Sequence, residues 1–195
     1  MTRVMRRRPT QLRGAVRVDR LLDACGELLD EVGYDALTTR AVAARAGSSI
    51  GSFYQFFGDK NQLVQVFGER NLERYLGRIT RVLETDPPSG WTGMLDVVFD
   101  EYVAHRKSVP GFGVVDFALA GGGDASQRLA DRLGELITRR FDRPTTGELR
   151  RVLRIAVETA DALVRLAFRD DPRGDPVLLR EARTVVRCYL ATYLD

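Results

Sequence analysis

Between Thr38 and Lys60 the sequence sets small polar residues where a helix begins: Ser48, Ser49, Gly51 and Ser52 follow directly on Gly47. Short hydroxyl side chains and exposed backbone N–H groups at a helix start suit one chemistry, donation to anionic oxygens and to base edges. Larger residues there would hold the helix off the surface it reads. Two short helices joined at Gly47, behind a longer amphipathic helix, make a helix-turn-helix. In that motif the second short helix enters the major groove of DNA and the first braces it. A Ser/Gly break between amphipathic helices also occurs in helical proteins that carry no such role.

Other chemistries lack their residues. Catalysis would need a nucleophile with its base, paired carboxylates or a metal cluster. His105 is the only histidine and no CxxC pair exists, so a zinc site is rejected and neither an enzyme nor a bound cofactor is expected. Gly121-Gly122-Gly123 opens no helix after a strand and reads as a loop. Cys25 and Cys188 fall on apolar helical positions and read as two buried thiols. His105 reads as a surface residue.

The elements that must position the serines are helices. Val18, Leu21, Leu22, Cys25, Leu28, Leu29 and Val32 form one apolar stripe, which Gly33 ends. Thr38 caps a second helix running to Ala46, and Ser48 or Ser49 a third over about 50–56. Asp59 caps a long fourth helix beginning at Lys60 and reaching Asp86. Pro87-Pro88-Ser89-Gly90 is the clearest punctuation in the chain. Further helices are expected at 91–107, 112–120, 126–141, 146–168 and 176–194. Thr145 and Glu148 have capping-box spacing, and Asp175-Pro176 is a cap followed by proline at N1. The expected fold is all-α with about nine helices. It divides into a flexible basic arm (1–14), a three-helix DNA-binding domain (15–62) and a helical regulatory and dimerisation domain (63–195).

Composition agrees. The chain of 195 residues is 44% hydrophobic and 29% charged. No apolar run approaches the ~18–20 residues of a membrane span. No apolar stretch follows the basic N-terminus, so the expectation is a cytoplasmic protein with no membrane partner. Residues 1–70 carry 11 basic against 8 acidic groups, while residues 71–195 carry 19 of each. Seven arginines and one aspartate fall in the first 20 residues, a basic arm suited to a polyanion.

The run from Thr38 to Leu63, TTRAVAARAGSSIGSFYQFFGDKNQL, resembles the DNA-binding motif of the TetR/AcrR repressor family. A Thr-led helix, an AG turn, a glycine, a tyrosine, a terminal Phe and a Lys opening the next helix all match. The resemblance implies a dimeric repressor of double-stranded operator DNA. It implies that Thr39, Tyr54 and Lys60 meet phosphates and that Ser49, Ile50 and Ser52 face base edges, with Thr38, Ser48 and Gln55 counted beside them as DNA-binding residues. Gly51 would permit close approach, and Phe53 and Phe57 would seat the reading helix. Two positions depart from the pattern. Ile50 replaces a residue that is often polar and can touch only a thymine methyl or sugar edge. Phe56 replaces a common histidine and loses a phosphate contact, for which Gln55 and the arm are expected to compensate.

The resemblance further implies that the rest of the chain dimerises and binds a small ligand. The helices at 146–169 and 176–194 are apolar over more than one face, as an intersubunit four-helix bundle requires. Leu153, Val157, Leu163, Val186, Tyr189 and Tyr193 are the candidate interface residues. A fully buried helix within one chain would give the same pattern. Phe99, Tyr102, Phe112, Phe117 and Phe168, with Asp161 and Arg165, are candidates for a pocket holding a small apolar or amphipathic ligand. Ordinary core packing is the alternative for each aromatic, and an i, i+4 ion pair for the charged two.

Overall fold

The computed structural model describes residues 12–115, 124–142, 144 and 146–195. It contains eight helices: α1 (Leu12–Ala36), α2 (Thr39–Arg45), α3 (Ile50–Phe56), α4 (Lys60–Thr85), α5 (Trp91–Ser108), α6 (Asp124–Phe141), α7 (Gly147–Ala167) and α8 (Pro176–Leu194). The helix expected at 112–120 is the one missing among the described residues. Its first residues, up to Val115, form turns. Phe117 and Gly121-Gly122-Gly123 lie outside the described residues, as do the first 11 residues of the arm and Thr145. No described helix is long and apolar enough to cross a membrane.

The described residues fall into two compact units, those of Met1–Asn71 with Ser108–Gly122, and those of Leu72–Lys107 with Gly123–Asp195. The division falls inside α4 rather than at 62/63, and one later segment returns to the N-terminal unit.

In the N-terminal unit the stripe of α1 buries Leu21, Leu22, Cys25 and Leu29. The same core takes Val42 and Ala43 of α2, Phe53 and Phe56 of α3, Phe57, and Leu63, Val64 and Phe67 of α4. Each such large apolar side chain contributes ~1.5–3 kcal/mol through burial. At Gly33 the backbone of α1 leaves helical geometry (φ 73°), a conformation glycine adopts without a Cβ penalty. Gly26 lets the later segment approach α1. A Cβ there would stand 2.6 Å from the Pro110 carbonyl oxygen, and one on Gly111 (φ 76°) 2.6 Å from the Gly26 oxygen.

In the second unit α7 packs against both α6 and α8, which explains its wide apolar arc. Thr146, one residue beyond the expected cap, accepts the Leu149 N–H at 3.1 Å. Asp175 caps α8 by accepting from Val177 and Leu178, with Pro176 at the helix start. Polar ties cross this unit as well. The Tyr75 hydroxyl donates to the Val98 carbonyl at 2.8 Å, Arg78 pairs with Glu101 at 2.7 Å, and Arg183 and Arg187 of α8 meet Asp96 of α5.

Candidate nucleic-acid interface

The turn between α2 and α3 is built from backbone hydrogen bonds. Ser48 N–H donates to the Ala43 carbonyl at 2.8 Å, and Gly47 N–H to Ala44 at 3.1 Å. This is the paired closure of a Schellman end, and Gly47 (φ 61°) supplies the left-handed residue it needs. Thr38 caps α2 by accepting the Ala41 N–H at 3.1 Å. Ser49, not Ser48, caps α3 by accepting the Ser52 N–H at 3.1 Å. At α4, Asp59 accepts from Gln62 N–H at 2.8 Å, and Gln62 in turn accepts from Gly58 N–H at 2.6 Å. Three short-range caps therefore set where each helix of the motif begins.

α3 is two-sided. Phe53 and Phe56 point into the core, while Ile50, Gly51, Tyr54 and Gln55 are exposed. Positions 50, 51, 54 and 55 share one face of a helix, so these four form a single outward strip. Ile50 is 41% exposed and Tyr54 44%, large exposures for such residues in a well-packed domain. Ser52 is half-buried beside the strip. The Tyr54 hydroxyl lies 3.3 Å from Thr39 Oγ1 at the start of α2. Two hydroxyls from different helices thus meet at the surface, where one phosphate can accept from both. Arg40, exposed next to Thr39, was not singled out from the sequence. Its position was readable, because the buried Val42 and Ala43 leave it outward on α2.

Two of the motif's residues make contacts within the domain. Lys60 donates to the Tyr34 and Asp35 carbonyls at 3.1 and 3.3 Å and lies 4.7 Å from the Tyr34 ring centroid. The ammonium therefore satisfies the C-terminal carbonyls of α1, with one of its three donors left over. Phe56 is only 7% exposed, so this position packs the reading helix instead of facing a phosphate. Arg45, on the same short helix as Arg40, is tied to Glu27 and Glu31 of α1 at 3.1 and 2.7 Å. That tie fixes α2 on α1.

In the second unit, the buried Tyr102 hydroxyl donates to Asp161, and Asp161 pairs with Arg165 at 3.3 Å. Burial first, and then the Asp161 charge, hold the Tyr102 phenol well above its ordinary pKa. Phe99 is buried beneath the Arg183 guanidinium, 4.9 Å from its ring, and half-buried Phe168 lies 4.9 Å from Arg106. Phe112 is buried too, and belongs to the N-terminal unit. His105, expected at the surface, is 1% exposed. Burial, and then the nearby Arg78 and Arg74, push its pKa down to about 4. Cys25 is buried and its thiol is pushed up to about 12, chiefly by desolvation. Cys188 is exposed, against expectation.

Of the candidate interface residues, Leu153, Val157 and Val186 are buried in the chain's own core. They pack there because α7 sits between α6 and α8. Leu163 and Tyr189 are half-buried, and Tyr193 is 44% exposed. The apolar surface that remains on α7 is Ile155 and Leu166, eleven residues apart and so on one face. On α8 it is Val177 and the stripe Val185, Tyr189, Tyr193.

Two family models match, one in each half of the chain. Residues 21–67 match the family model described as bacterial regulatory proteins, tetR family. Residues 91–190 match the tetracyclin repressor-like C-terminal domain. A solved TetR-family transcriptional regulator from Streptomyces coelicolor is 50% identical, with a TM-score of 0.83 over 91% of this chain and 99% of that one. The uncharacterized HTH-type transcriptional regulator YvdT of Bacillus subtilis is 32% identical over 93 residues, 48% of this chain and 46% of that protein. The HTH-type transcriptional repressor KstR2 of Mycolicibacterium smegmatis is 32% identical over 96 residues, again 48% and 46%. The chain thus spans about half the length of these curated relatives.

Proposed function

Because the chain belongs to the TetR family of bacterial regulatory proteins, we propose that it is a dimeric repressor that occludes a promoter by binding a palindromic operator. The observation that carries the reading is the outward strip of α3 beside the Thr39–Tyr54 hydroxyl pair. Side chains able to meet bases lie next to side chains able to hold the backbone, and both stand on a buried aromatic base of Phe53, Phe56 and Phe57. One short helix reads few base pairs. A two-fold dimer sets two of them about one DNA turn, ~34 Å, apart. The exposed Ile155, Leu166, Val185 and Tyr193 on α7 and α8 supply an apolar face that a second copy can cover.

Release by a ligand is the second half of the proposal, and the continuity of α4 supports it. This one helix begins at Lys60, which holds the end of α1, and runs on to Thr85 in the second unit. A small apolar or amphipathic ligand in the second unit, its polar end met by Tyr102, Asp161 and Arg165, shifts α4 and with it the reading helix. Such coupling is reciprocal and typically amounts to ~1–3 kcal/mol, so operator must weaken the ligand by the same factor.

The test is fluorescence anisotropy on a duplex obtained by selection from random sequence. Thr39→Ala with Tyr54→Phe should weaken binding about tenfold or more, similarly for every sequence, through lost hydrogen bonds to charged oxygens. Arg40→Ala should make the dependence on salt shallower by about one ion. Binding that ignores sequence and all three substitutions would refute the reading.

A further inference from the structure

The geometry of α3 points to a specificity-determining residue, and we infer that Ile50 reads the 5-methyl group of a thymine in each half of the operator. The inference rests on the DNA-binding reading above and deepens it.

Three observations combine. The first is Ile50 itself, 41% exposed at the first position of α3 on the outward strip with Gly51, Tyr54 and Gln55. The second is the state of the serines beside it. Ser49 Oγ accepts the Ser52 N–H at 3.1 Å and gives its own proton to Ser52 Oγ, also at 3.1 Å. The Ser49 hydroxyl is therefore engaged within the helix in the free protein. The third is Gly51, where a side chain would meet nothing nearer than Ser49 Oγ at 3.9 Å. The surface is open there, and the strip can come close to a groove floor.

The chemistry of the major groove then narrows the choice. Guanine and adenine present ring nitrogens with carbonyl or amino groups, and cytosine presents an amino group. Only thymine presents an apolar group. Ile50 against a polar edge would strip water from it and return no hydrogen bond, which is unfavourable. Ile50 against a thymine methyl removes apolar surface from water on both sides. The same side chain therefore favours thymine and disfavours guanine and cytosine at one position of each half-site. The sugar edge is the other apolar surface within reach, and it carries no sequence information.

Deoxyuridine separates the two, since it differs from thymidine by the methyl alone. Full-length protein is used to select duplexes from a random library, and each thymine of the selected operator is then replaced by deoxyuridine in both halves. At one symmetric position the replacement should weaken wild-type binding about fourfold per half-site and about fifteenfold for both, the size expected for one buried methyl each. Ile50→Ala should lose that sensitivity to within about twofold, keep the wild-type salt slope because no phosphate contact is touched, and melt as wild type does because the residue is exposed. A wild-type protein indifferent to every deoxyuridine would overturn the inference and leave operator binding intact. An Ile50→Ala protein that keeps the sensitivity would do the same. Selection that enriches no sequence would overturn the DNA-binding reading and this inference together.

Discussion

Gly26 sits in the interior of α1, where alanine is the better helix former by about 1 kcal/mol. By propensity alone Gly26→Ala stabilises. The structure reverses the sign. The new Cβ would lie 2.6 Å from the Pro110 carbonyl oxygen and 2.9 and 3.1 Å from two ring carbons of Phe67. The ring can tilt. The carbonyl belongs to backbone that is itself pressed against α1 through Gly111, so it cannot rotate aside. Overpacking of this kind costs about 1–3 kcal/mol, and the clash with fixed backbone places it at the upper end. The net is a destabilisation of about 1–2 kcal/mol, a fall in Tm of about 2–8 °C for a chain of this size. Gly77 in α4 is the control, since a Cβ there meets nothing within 4 Å. Gly77→Ala should raise Tm by about 2–4 °C. Calorimetry of the two variants beside wild type decides the matter. If Gly26→Ala stabilises as Gly77→Ala does, the segment around Pro110 does not pack on α1, and the N-terminal unit is drawn wrongly.

Three further outcomes follow from burial and exposure. In a Cys188→Ser background iodoacetamide should label nothing in the native protein and Cys25 once it is unfolded, because the buried thiol is held protonated with its pKa near 12; labelling of the native protein would contradict the burial. The unfolded His105 imidazole takes up its proton near pH 6.5 and the folded one only near about 4, so stability should be level above neutrality and fall as pH drops through that window. His105→Gln should flatten that fall in acid denaturation, and an unchanged profile would remove the histidine from the account. Val185→Glu should shift the sedimentation coefficient from dimer to monomer, since a charge on the exposed stripe of α8 loses its hydration when covered; an unaltered dimer would move the interface elsewhere.

What could be read in the sequence was what short range decides. Thr38, Asp59 and the Asp175-Pro176 pair cap the helices they were expected to cap, because a cap is a contact within four residues. Gly47 takes the positive φ of a helix end, as its place after α2 implied, whereas Gly33 takes one at a kink inside α1, which runs on to Ala36 instead of ending there. What could not be read depends on partners distant in the chain. The residues after α5 carry no mark of returning to α1, and their fit shows only in the opposed Gly26 and Gly111. Lys60 reaches the end of α1, 25 and 26 residues back in sequence, and no spacing rule encodes that. Leu153 and Val157 of α7 and Val186 of α8 could not be assigned to core or interface, because the apolar arc of each helix is wide enough for both. Only the placement of α6 and α8 on either side of α7 separates the inward residues from Ile155 and Leu166. His105 and Cys188 were misplaced for the same reason, each being a single position on a helix whose buried arc is set by its neighbours.

The central claim is that α3 enters the major groove and that two copies do so one helical turn apart. The direct measurement is protection of guanine N7 from methylation across a selected operator, since N7 is a major-groove atom. The account predicts two symmetric protected patches about 10–10.5 base pairs apart, centre to centre, on one face of the duplex. Both patches should be lost together in Thr39→Ala with Tyr54→Phe. A single patch, or an operator that is bound while every guanine N7 stays reactive, would contradict it.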